Sequence, residues 1–418
     1  MAKKIYLCLA HMSESGAEQK FIQEAFDTNW VVPLGPNVNG FEEDLKRFVD
    51  NPLLNNKEVV ALCSGTAAVH LGLLGCGIKP GDEVIVQSFT FCASTHPICY
   101  LGAKPIFVDS EQETWNMDPV LLEEAIKDRI AKTGKKPKAI VPVYLYGMPA
   151  KIEEIMAIAN QYEIPVVEDA AEGFGSKYKG QVVGTFGEYG VLSFNGNKMI
   201  TTSGGGALIC PSIEAKNRTM WYATQAREAY PYYQHEAIGY NYRMSNICAG
   251  IGRGQMTIIN DHISHHRHIA EIYKKAFSDM EGIDFHDELE GMESNFWLCT
   301  IILHEDLHVK GEEKAYTQAI KGAVGGAAGI VHENDNIHTD CEPNRNVEAM
   351  RLGLDAMGIE SRPLWKPMHK QPVYQGCPAY INGVSESLFK RGLCLPSGPC
   401  VSDEQVYYII ESIKALVD

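Results

Sequence analysis

The sequence has little positive charge for its size. It carries 37 Lys and Arg residues against 53 Asp and Glu residues, which gives a formal net charge of −16 over 418 residues. Binding to the phosphates of DNA or RNA requires a basic surface, so this imbalance argues against a nucleic-acid-binding protein. An anionic ligand must instead be held by a local group of cations or backbone N–H groups.

Metal-binding cysteine pairs and long apolar runs are also absent. The twelve cysteines include no Cys-x-x-Cys pair, so their spacing predicts neither a zinc site nor a disulfide framework, and free thiols are typical of a reducing compartment. No apolar stretch approaches the length of a membrane span, and the apolar run in MAKKIYLCLAHMSES is too short and mixed for a signal peptide. We therefore expect a cytoplasmic protein that has no membrane partner and holds no metal.

What the sequence does contain is an alternation of short apolar runs with helical segments between residues 58 and 210. The runs are EVVALC, GDEVIVQSF, AKPIFVDS, AIVPVYLYG, IPVVEDAA, YGVLSF and GALIC. Helical connectors are predicted over residues 66–74, 119–132 and 151–162. This pattern is typical of an α/β domain with a largely parallel sheet.

The second half of the chain predicts a smaller α/β region. A long helix pattern covers residues 247–280, and it is followed by the apolar run WLCTIIL and a final helix, DEQVYYIIESIKALV. Residues 310–345 predict a helix followed by a long loop, and such loops are often lids or binding elements. We expect an N-terminal arm and large domain over residues 1–255 and a smaller C-terminal domain over residues 256–418.

The first candidate binding element is Ser64-Gly65-Thr66, which follows an apolar strand and opens the helix TAAVHLGLL. A helix N-terminus offers free backbone N–H groups and the positive end of the helix dipole, and small residues let an anion approach. A phosphate would bind there. The alternative is that Ser64 or Thr66 only caps the helix, which is the commoner case for such a tripeptide taken alone.

The second candidate is Asp169, at the end of the apolar run IPVVED. Ligands of open α/β sheets gather at the carboxyl ends of the strands, and a carboxylate close to a buried strand needs a partner. A protonated pyridine nitrogen is one such partner. A cap for a helix beginning at Ala170 is the alternative.

The third candidate is Lys198, within SFNGNKMITTSGGG between two predicted strands. A sheltered lysine amine forms a Schiff base with an aldehyde, whereas most lysines on such turns are simply solvated. The glycines at 204–206 indicate either a close approach of the backbone or a tight bend.

Together these three elements describe a single cofactor. A phosphate anchor, an acid for a ring nitrogen and a Schiff-base lysine occur in the order expected for pyridoxal 5'-phosphate. Phe91, in SFTFCAS between the first two elements, is placed to stack on the pyridine ring, although an isolated phenylalanine is more often a core residue.

Five stretches resemble, in order, the motifs of the DegT/DnrJ/StrS sugar-nucleotide aminotransferases. They are SGTAAVHL, QSFTFCAS, VVEDAAEGFGS, SFNGNK and GYNYRMSN, and the resemblance covers nearly the whole chain. It implies a fold-type-I pyridoxal-phosphate enzyme in which a mostly parallel sheet is flanked by helices. It also implies a homodimer whose active sites lie at the subunit interface.

The resemblance assigns roles to individual residues. Lys198 resembles the lysine that binds the cofactor covalently, Asp169 the partner of the pyridine nitrogen, and Phe91 the stacking aromatic. The remaining cofactor contacts implied are Ser64, Gly65, Thr66 and Ser193 at the phosphate, Asn241 reaching the phosphate of the neighbouring subunit, and Glu172. Glu172 is a departure, because many relatives carry histidine or glutamine there, and residues 310–345 form a longer segment than in most relatives.

A substrate prediction comes from SRPLWKPMHKQPVY, residues 361–374, which reads as a rigid loop. Arg362, Lys366 and His369 would supply the positive charge that a diphosphate needs, and Trp365 lies among them; a surface loop is the alternative. With RGLCLPSG, this phrase is similar to members acting on UDP-linked 2-acetamido-4-keto-6-deoxy sugars. The implied reaction is amination at carbon four with an amino-acid donor, L-glutamate, as in bacillosamine-type pathways.

Other readings stay open. They are an aminotransferase for a 3-keto or dTDP-linked sugar, a sugar dehydratase, which Lys198 argues against, and a catalytically silent cofactor- or sugar-binding regulator on the same fold. His262 and His266 are one helical turn apart, but without further ligands we expect a solvated helix face rather than a metal site. Glycines 250, 252 and 254 lack a preceding strand, so they do not predict a dinucleotide loop.

Overall fold

The computed structural model of the chain describes residues 4–50, 57–315 and 341–417, together with the backbone of two short strands between the last two ranges. The helices are α1 (Ala17–Asp27), α2 (Pro36–Val49), α3 (Gly65–Gly75), α4 (His96–Tyr100), α5 (Pro119–Thr133), α6 (Ile152–Gln161), α7 (Ile213–Ala223), α8 (Asn246–Met256), α9 (Ile259–Phe277), α10 (Arg345–Ala356), α11 (Val384–Arg391) and α12 (Asp403–Leu416). Single 3-10 turns occur at Cys92–Ser94, Leu145–Gly147, Met368–Lys370 and Pro372–Tyr374.

The strands complete the fold. They are β1 (Glu58–Leu62), β2 (Glu83–Gln87), β3 (Lys104–Val108), β4 (Ala139–Val141), β5 (Val167–Asp169), β6 (Lys177–Tyr178), β7 (Gln181–Val182), β8 (Tyr189–Ser193), β9 (Gly206–Cys210), β10 (Ile283–Phe285), β11 (Met292–Glu293), β12 (Cys299–Leu303), β13 (Ala323–Val324), β14 (Ala327–Ala328), β15 (Arg362–Pro363), β16 (Ala379–Tyr380) and β17 (Gly392–Leu395). Each of the seven apolar runs expected between residues 58 and 210 contains one of these strands.

The large sheet has the order β1-β9-β8-β5-β4-β2-β3-β16. Two four-stranded ladders are joined between β4 and β5 by parallel bridges, Ile140 to Val166 and Val143 to Asp169. Strand β9 is antiparallel to both of its neighbours, and the other pairs run parallel. The largely parallel sheet predicted from the sequence is therefore confirmed. Strand β9 follows β8 through residues 194–205, which contain no helix. It pairs antiparallel because a parallel neighbour needs a crossover connection, which is usually a helix.

The large sheet is buried on both faces. Strands β8 and β9 have no exposed residue, and separate apolar clusters pack on the two faces, one around Phe41 and Phe194 and the other around Leu71 and Phe107. Helix crossovers cover both faces of such a sheet, so its strands read as continuous apolar runs rather than alternating ones. Because both faces are covered, polar side chains gather at the carboxyl ends of the strands.

The C-terminal half forms an antiparallel sheet of order β10-β12-β17-β15. Its apolar cluster includes Tyr273 of α9, Met350 of α10 and Ile413 of α12. Strand contacts tie the halves of the chain together: β16 pairs with β3 of the large sheet, β11 pairs with β6, and Ile5 bridges to Ile359. The division at residue 255 stays a prediction.

The long helix predicted over residues 247–280 is wrong in one respect, because it is two helices, α8 and α9. The break falls at Thr257 and Ile258; the Thr257 hydroxyl donates to the Gly254 carbonyl at 2.6 Å, and Ile258 leaves helical geometry at φ −124° and ψ 8°. A Ser or Thr hydroxyl that bonds back to the helix backbone competes with the helical hydrogen bonds.

The glycines of α8 form a packing face, since a Cβ on Gly252 would lie 2.7 Å from the Phe41 ring and one on Gly254 would lie 2.5 Å from the Glu18 nitrogen.

The prediction that His262 and His266 lie on a solvated face of their helix, α9, is also wrong. They are 4% and 0% exposed, and their Nδ1 atoms bond to the carbonyls of Met199 and Phe296 at 3.1 and 3.0 Å. These backbone bonds satisfy one nitrogen of each ring and make burial tolerable. Across the described ranges, no group of three His, Cys, Asp or Glu side chains is arranged to hold a metal ion.

The sequence also led to expectations about the cysteines, about membrane-spanning helices and about residues 310–345. All twelve cysteines are free. No helix in the part of the chain that the structure describes is long and apolar enough to cross a membrane. Most of the helix and loop predicted over residues 310–345 lies outside the described residues; the strands β13 and β14 pair antiparallel within it.

Candidate active site

A cavity of about 370 Å³ opens at the carboxyl ends of the strands of the large sheet. Residues directly after β1, β2, β4, β5 and β8 contribute to its wall, as do residues just before the reversed strand β9. Strand ends of this kind are the usual ligand position in open α/β folds. Of the nine predicted cofactor contacts, the structure brings eight to this cavity: Ser64, Gly65, Thr66, Phe91, Asp169, Glu172, Ser193 and Lys198.

The start of α3 forms one end of the cavity. The Ser64 side chain caps the helix by accepting a hydrogen bond from the Ala67 N–H at 3.0 Å. The N–H groups of Gly65 and Thr66 belong to the first helical turn, where no earlier helix carbonyl is available to them. A Cβ on Gly65 would lie 2.9 Å from the Ser193 Cβ. The helix is therefore capped and also presents a small, N–H-rich surface of the kind that binds phosphate.

The glycines at 204–206 serve different purposes. A Cβ on Gly206 would lie 2.4 Å from the Gly65 nitrogen, and one on Gly205 would lie 2.2 Å from the Thr202 hydroxyl oxygen. Gly204 meets nothing within 4 Å. Close approach of the backbone at the start of α3 thus explains Gly206, whereas the side chains of Thr202 and Met244 leave no room for a Cβ on Gly205. The positive φ of this turn is at Ser203, at 70°.

Asp169 lies at the end of β5 and is 4% exposed. Its Oδ2 accepts a hydrogen bond from the Ser94 hydroxyl at 2.7 Å, and its Oδ1 accepts one from the Ala171 N–H at 3.1 Å. Burial raises the pKa of the Asp169 carboxyl, while the Ser94 bond and the charge of Lys198 oppose that rise. No helix begins at Ala170, since turns follow it, so the helix-cap alternative is wrong.

Lys198 is sheltered. Its side chain is 12% exposed, and its Nζ lies 3.5 Å from Glu172 Oε1 and 3.8 Å from the centre of the Trp297 ring. A lysine held between a carboxylate and an aromatic face is not a solvated turn lysine. The indole Nε1 of Trp297 donates to the Asn197 carbonyl at 2.6 Å, which fixes the ring beneath the amine.

Glu172 completes the surroundings of the lysine. It is 5% exposed, and its Oε2 accepts the Tyr146 backbone N–H at 2.8 Å. Burial raises the pKa of Glu172 and the Lys198 charge works against it. The departure from the histidine or glutamine of many relatives thus places a buried carboxyl within reach of the amine.

Two aromatic side chains line the mouth of the cavity. Phe91 is 48% exposed, and its ring centre lies 5.3 Å from that of Trp365. Both rings also line a second cavity, of about 350 Å³, together with Lys366 and Tyr374. The two cavities therefore meet at Phe91 and Trp365.

The predicted substrate residues are dispersed. Trp365 and Lys366 line these cavities, but His369 Nδ1 lies 2.7 Å from the Ser88 hydroxyl and Arg362 forms an ion pair with Glu360 at 2.9 Å. The rigid loop predicted over residues 361–374 is wrong at its start, where β15 pairs with β17. Asn241 lines neither cavity; it bridges to Thr224 at the surface.

Sequence reasoning missed two residues that contact the central groups. Ser94 belongs to the SFTFCAS stretch and follows β2, so its position after a strand end is a signal for it. Trp297 carried no signal, since it lies 99 residues after Lys198 and only the tertiary fold brings its ring to the amine.

With this geometry in place, comparisons with known proteins agree on one group. The model of the DegT/DnrJ/EryC1/StrS aminotransferase family matches residues 13–340 and 314–414. EpsN of Bacillus subtilis (strain 168), named as a candidate pyridoxal phosphate-dependent aminotransferase, is 42% identical over 100% of this chain and 96% of its own length. The GDP-perosamine synthase of Escherichia coli O157:H7 is 36% identical over 98% of both chains.

Solved structures give the same answer for the fold. A DegT DnrJ EryC1 StrS aminotransferase from Brucella abortus is 28% identical, with a TM-score of 0.80 over 96% of this chain and 95% of that one. A candidate sugar aminotransferase from Streptococcus pneumoniae, in its PLP form, is 23% identical, with a TM-score of 0.81 over 99% and 98% of the two chains.

Proposed function

Since the chain belongs to the DegT/DnrJ/EryC1/StrS aminotransferase family, we propose that it transfers an amino group from L-glutamate to carbon four of a UDP-linked 2-acetamido-4-keto-6-deoxy sugar. The chain is a pyridoxal phosphate-dependent sugar aminotransferase with the fold-type-I architecture. The observation that carries the site assignment is the sheltered Lys198 amine, set in the same cavity as Asp169 and the start of α3.

The described residues fit pyridoxal phosphate. When bound, this cofactor supplies an aldehyde that links covalently to amines and a protonated ring that accepts electrons from a breaking bond. In the proposed arrangement the first turn of α3, with Ser193, would hold its phosphate. Gly65 supports this position, because a side chain there would fill the space beside Ser193. Phe91 would cover one face of the ring.

Asp169 would keep a proton on the ring nitrogen. Its two oxygens already accept bonds from Ser94 and Ala171, and donors of this kind favour the ionised carboxylate. A buried carboxylate needs a cationic partner. The Thr90 hydroxyl lies 2.7 Å from the Ser94 hydroxyl and extends this chain of hydrogen bonds.

Lys198 would act first as the nucleophile that binds the cofactor, and then as the base and acid that moves a proton on the donor and on the sugar. Glu172, 3.5 Å away, is placed to take up or return a proton at Nζ. The Trp297 ring covers one side of the amine, with its centre 3.8 Å from Nζ.

The choice of sugar rests on the loop SRPLWKPMHKQPVY, whose Trp365 and Lys366 line the cavities. A GDP-linked keto sugar is the second candidate, because GDP-perosamine synthases of Escherichia coli, Vibrio cholerae and Caulobacter vibrioides are 36%, 32% and 31% identical over nearly the whole chain. An enzyme named for a UDP-linked 3-oxo sugar acid, from Pseudomonas aeruginosa, is 35% identical over 57% of the chain. These relatives define the competing substrates.

The homodimer is part of the proposal. Large apolar side chains are exposed in two stretches, around Trp30, Val31 and Val32 and around Tyr230 and Tyr232, and grouped exposure of this kind favours a protein interface. Asn241 lies at the surface, which is compatible with a contact to the cofactor phosphate of the partner subunit. Cytoplasmic location also belongs to the proposal.

The test is a product analysis. Purified enzyme with pyridoxal phosphate and L-glutamate is given, separately, the UDP-linked 4-keto sugar, a GDP-linked 4-keto-6-deoxy sugar and the UDP-linked 3-oxo sugar acid, and the nucleotide sugar is followed by mass spectrometry. We expect the mass change from ketone to amine only with the first. Turnover of another sugar alone rejects the UDP-4-keto assignment, and Lys198→Ala enzyme is the control for uncatalysed amination.

A further inference from the structure

The turn at residues 145–147 has an unusual backbone. Tyr146 lies at φ 55° and ψ 14°, in the left-handed region, and is 2% exposed. Residues other than glycine rarely adopt this conformation, and where they do, the surrounding structure holds them there. Gly147 follows at φ 98°, where a Cβ would lie 1.9 Å from Asn295 Oδ1. The burial of Tyr146 and the close contact of Gly147 with Asn295 therefore hold the backbone of this turn in place.

This backbone lets Tyr146 bond in two directions. Its N–H donates to Glu172 Oε2 at 2.8 Å, and Glu172 in turn lies 3.5 Å from Lys198 Nζ. Its phenol oxygen accepts a hydrogen bond from the backbone N–H of Trp365 at 2.7 Å. The two side-chain rings are nearly parallel, at 21° and 6.2 Å between centres.

The phenol also reaches the C-terminal sheet. Its hydroxyl bonds to the backbone of Trp365, which follows β15, and β15 pairs with β17. The hydroxyl therefore links this segment of the C-terminal half to a turn of the large sheet.

We propose that Tyr146 is a positioning residue: its backbone N–H orients Glu172 towards Lys198, and its hydroxyl holds Trp365 at the sugar-binding side of the cavity. This inference rests on the proposed function, because it assigns Trp365 to the sugar side. The backbone contact survives any change of side chain that preserves the turn, whereas the hydroxyl contact is lost in Tyr146→Phe. The two functions are thus separable by one substitution.

The physical consequence of removing the hydroxyl falls on the loop. The backbone N–H of Trp365, which is part-buried, would lose its acceptor inside the protein. A donor shielded from water and left without a partner is costly. The indole Nε1 of Trp365 is buried with no partner among the described residues, so its direction depends on how the backbone of the loop is held. The loop would shift to find another acceptor, and the ring that borders both cavities would shift with it.

The test compares Tyr146→Phe with Tyr144→Phe. Tyr144 is a matched control because it lies in the same turn region, is fully buried and loses a hydroxyl bond, but to Glu168 rather than to the loop. With the sugar nucleotide that the wild type aminates, we expect KM for the sugar to rise about tenfold in Tyr146→Phe. We expect less than a twofold change in kcat and in the glutamate-driven loss of visible absorbance measured without sugar. Tyr144→Phe should leave the sugar KM within twofold.

A second readout is independent of turnover. Hydrogen exchange followed by mass spectrometry should show faster exchange of residues 361–367 in Tyr146→Phe and not in Tyr144→Phe. Equal sugar KM values in the two variants, or unchanged exchange over 361–367, would overturn the positioning role. If the wild type aminates a GDP-linked sugar, the proposal of a UDP-linked substrate fails. The proposal for Tyr146 is then tested by the same comparison of KM values, made with the GDP-linked sugar. If it aminates none of the sugars, the exchange measurement decides.

Discussion

The two sides of the active-site cavity are built differently. On the cofactor side, Ser64 lies at the start of α3, Asp169 at the end of β5 and Lys198 in the turn between β8 and β9. The polar groups of Ser64 and Asp169 already have hydrogen-bond partners. On the sugar side, residues 361–374 contain only a short strand and two 3-10 turns, and the indole Nε1 of Trp365, a residue that lines both cavities, is buried without a partner among the described residues.

This difference separates two kinds of preorganisation. A cofactor that stays bound is met by groups that the fold itself fixes, so the cofactor side is rigid before binding. A substrate that enters and leaves is met by donors whose partners arrive with it. We therefore expect substitutions on the cofactor side to act on chemistry and those on the sugar side to act on KM.

The largest effect is expected for Lys198→Ala. Removing the amine removes both the nucleophile and the proton carrier, so kcat should fall at least about a thousandfold and the visible absorbance of the bound cofactor should be lost. Lys177→Ala is the control, because Lys177 is an exposed lysine paired with Glu293 at 3.7 Å. Visible absorbance that survives in Lys198→Ala would contradict the assignment.

Next is Asp169→Asn, which preserves size and removes the charge. Without a carboxylate to hold the ring-nitrogen proton, the glutamate reaction should slow by about a hundredfold. Ser94→Ala, which removes one donor to Asp169, should cost only about tenfold. Equal rates for Asp169→Asn and wild type, measured by stopped-flow absorbance, would show that another group performs this role.

Gly65→Ala should act on cofactor affinity. The added Cβ would lie 2.9 Å from the Ser193 Cβ, so the phosphate-binding surface must shift, and we expect the Kd for pyridoxal phosphate to rise about tenfold. Fluorescence titration measures this. Gly196→Ala is matched, since its nearest contact would be 4.0 Å away, and a rise of equal size there would remove the steric explanation.

A smaller effect is expected from Trp365→Phe on the sugar side. The substitution keeps an aromatic surface beside Phe91 and removes the unpartnered indole N–H. One neutral hydrogen bond to the substrate corresponds to about a fivefold rise in the sugar KM. The glutamate reaction without sugar should be unchanged, and a slower glutamate reaction would place Trp365 on the cofactor side instead.

The smallest change concerns stability in acid. Burial lowers the pKa of His286 to about 4 and that of His266 to about 3, from 6.5. The unfolded state therefore binds more protons below pH 6.5, so the free energy of unfolding should fall from pH 6.5 towards pH 4, by about 1 kcal/mol per pH unit for each histidine. Urea unfolding at several pH values measures the slope, which should be shallower in His266→Gln. An identical slope would contradict the burial argument.

The contrast between the sides also explains what the sequence could predict. The helix predicted over residues 66–74 is α3, because local periodicity determines it. Asp169 lies at the strand end where it was predicted, because its position directly after an apolar run determines that. The shelter of Lys198 was inferred only from combining three separate elements. Contacts in the folded chain resolve the roles of Gly205 and Gly206, which the local pattern left open.

What could not be predicted depends on long-range contacts. Trp297 reaches Lys198 only through the packing of the C-terminal half, and no local pattern marks it. His262 and His266 look polar in sequence, yet backbone carbonyls from distant segments satisfy one nitrogen of each in the core. The break between α8 and α9 comes from one threonine hydroxyl, which helix periodicity does not register.

The most direct test of the account is to locate the cofactor on the chain. Holoenzyme is treated with borohydride, digested and analysed by mass spectrometry for a phosphopyridoxyl group. We expect this group on the peptide that contains Lys198, with none recovered from Lys198→Ala enzyme. A phosphopyridoxyl group on another lysine, or on none, would contradict it.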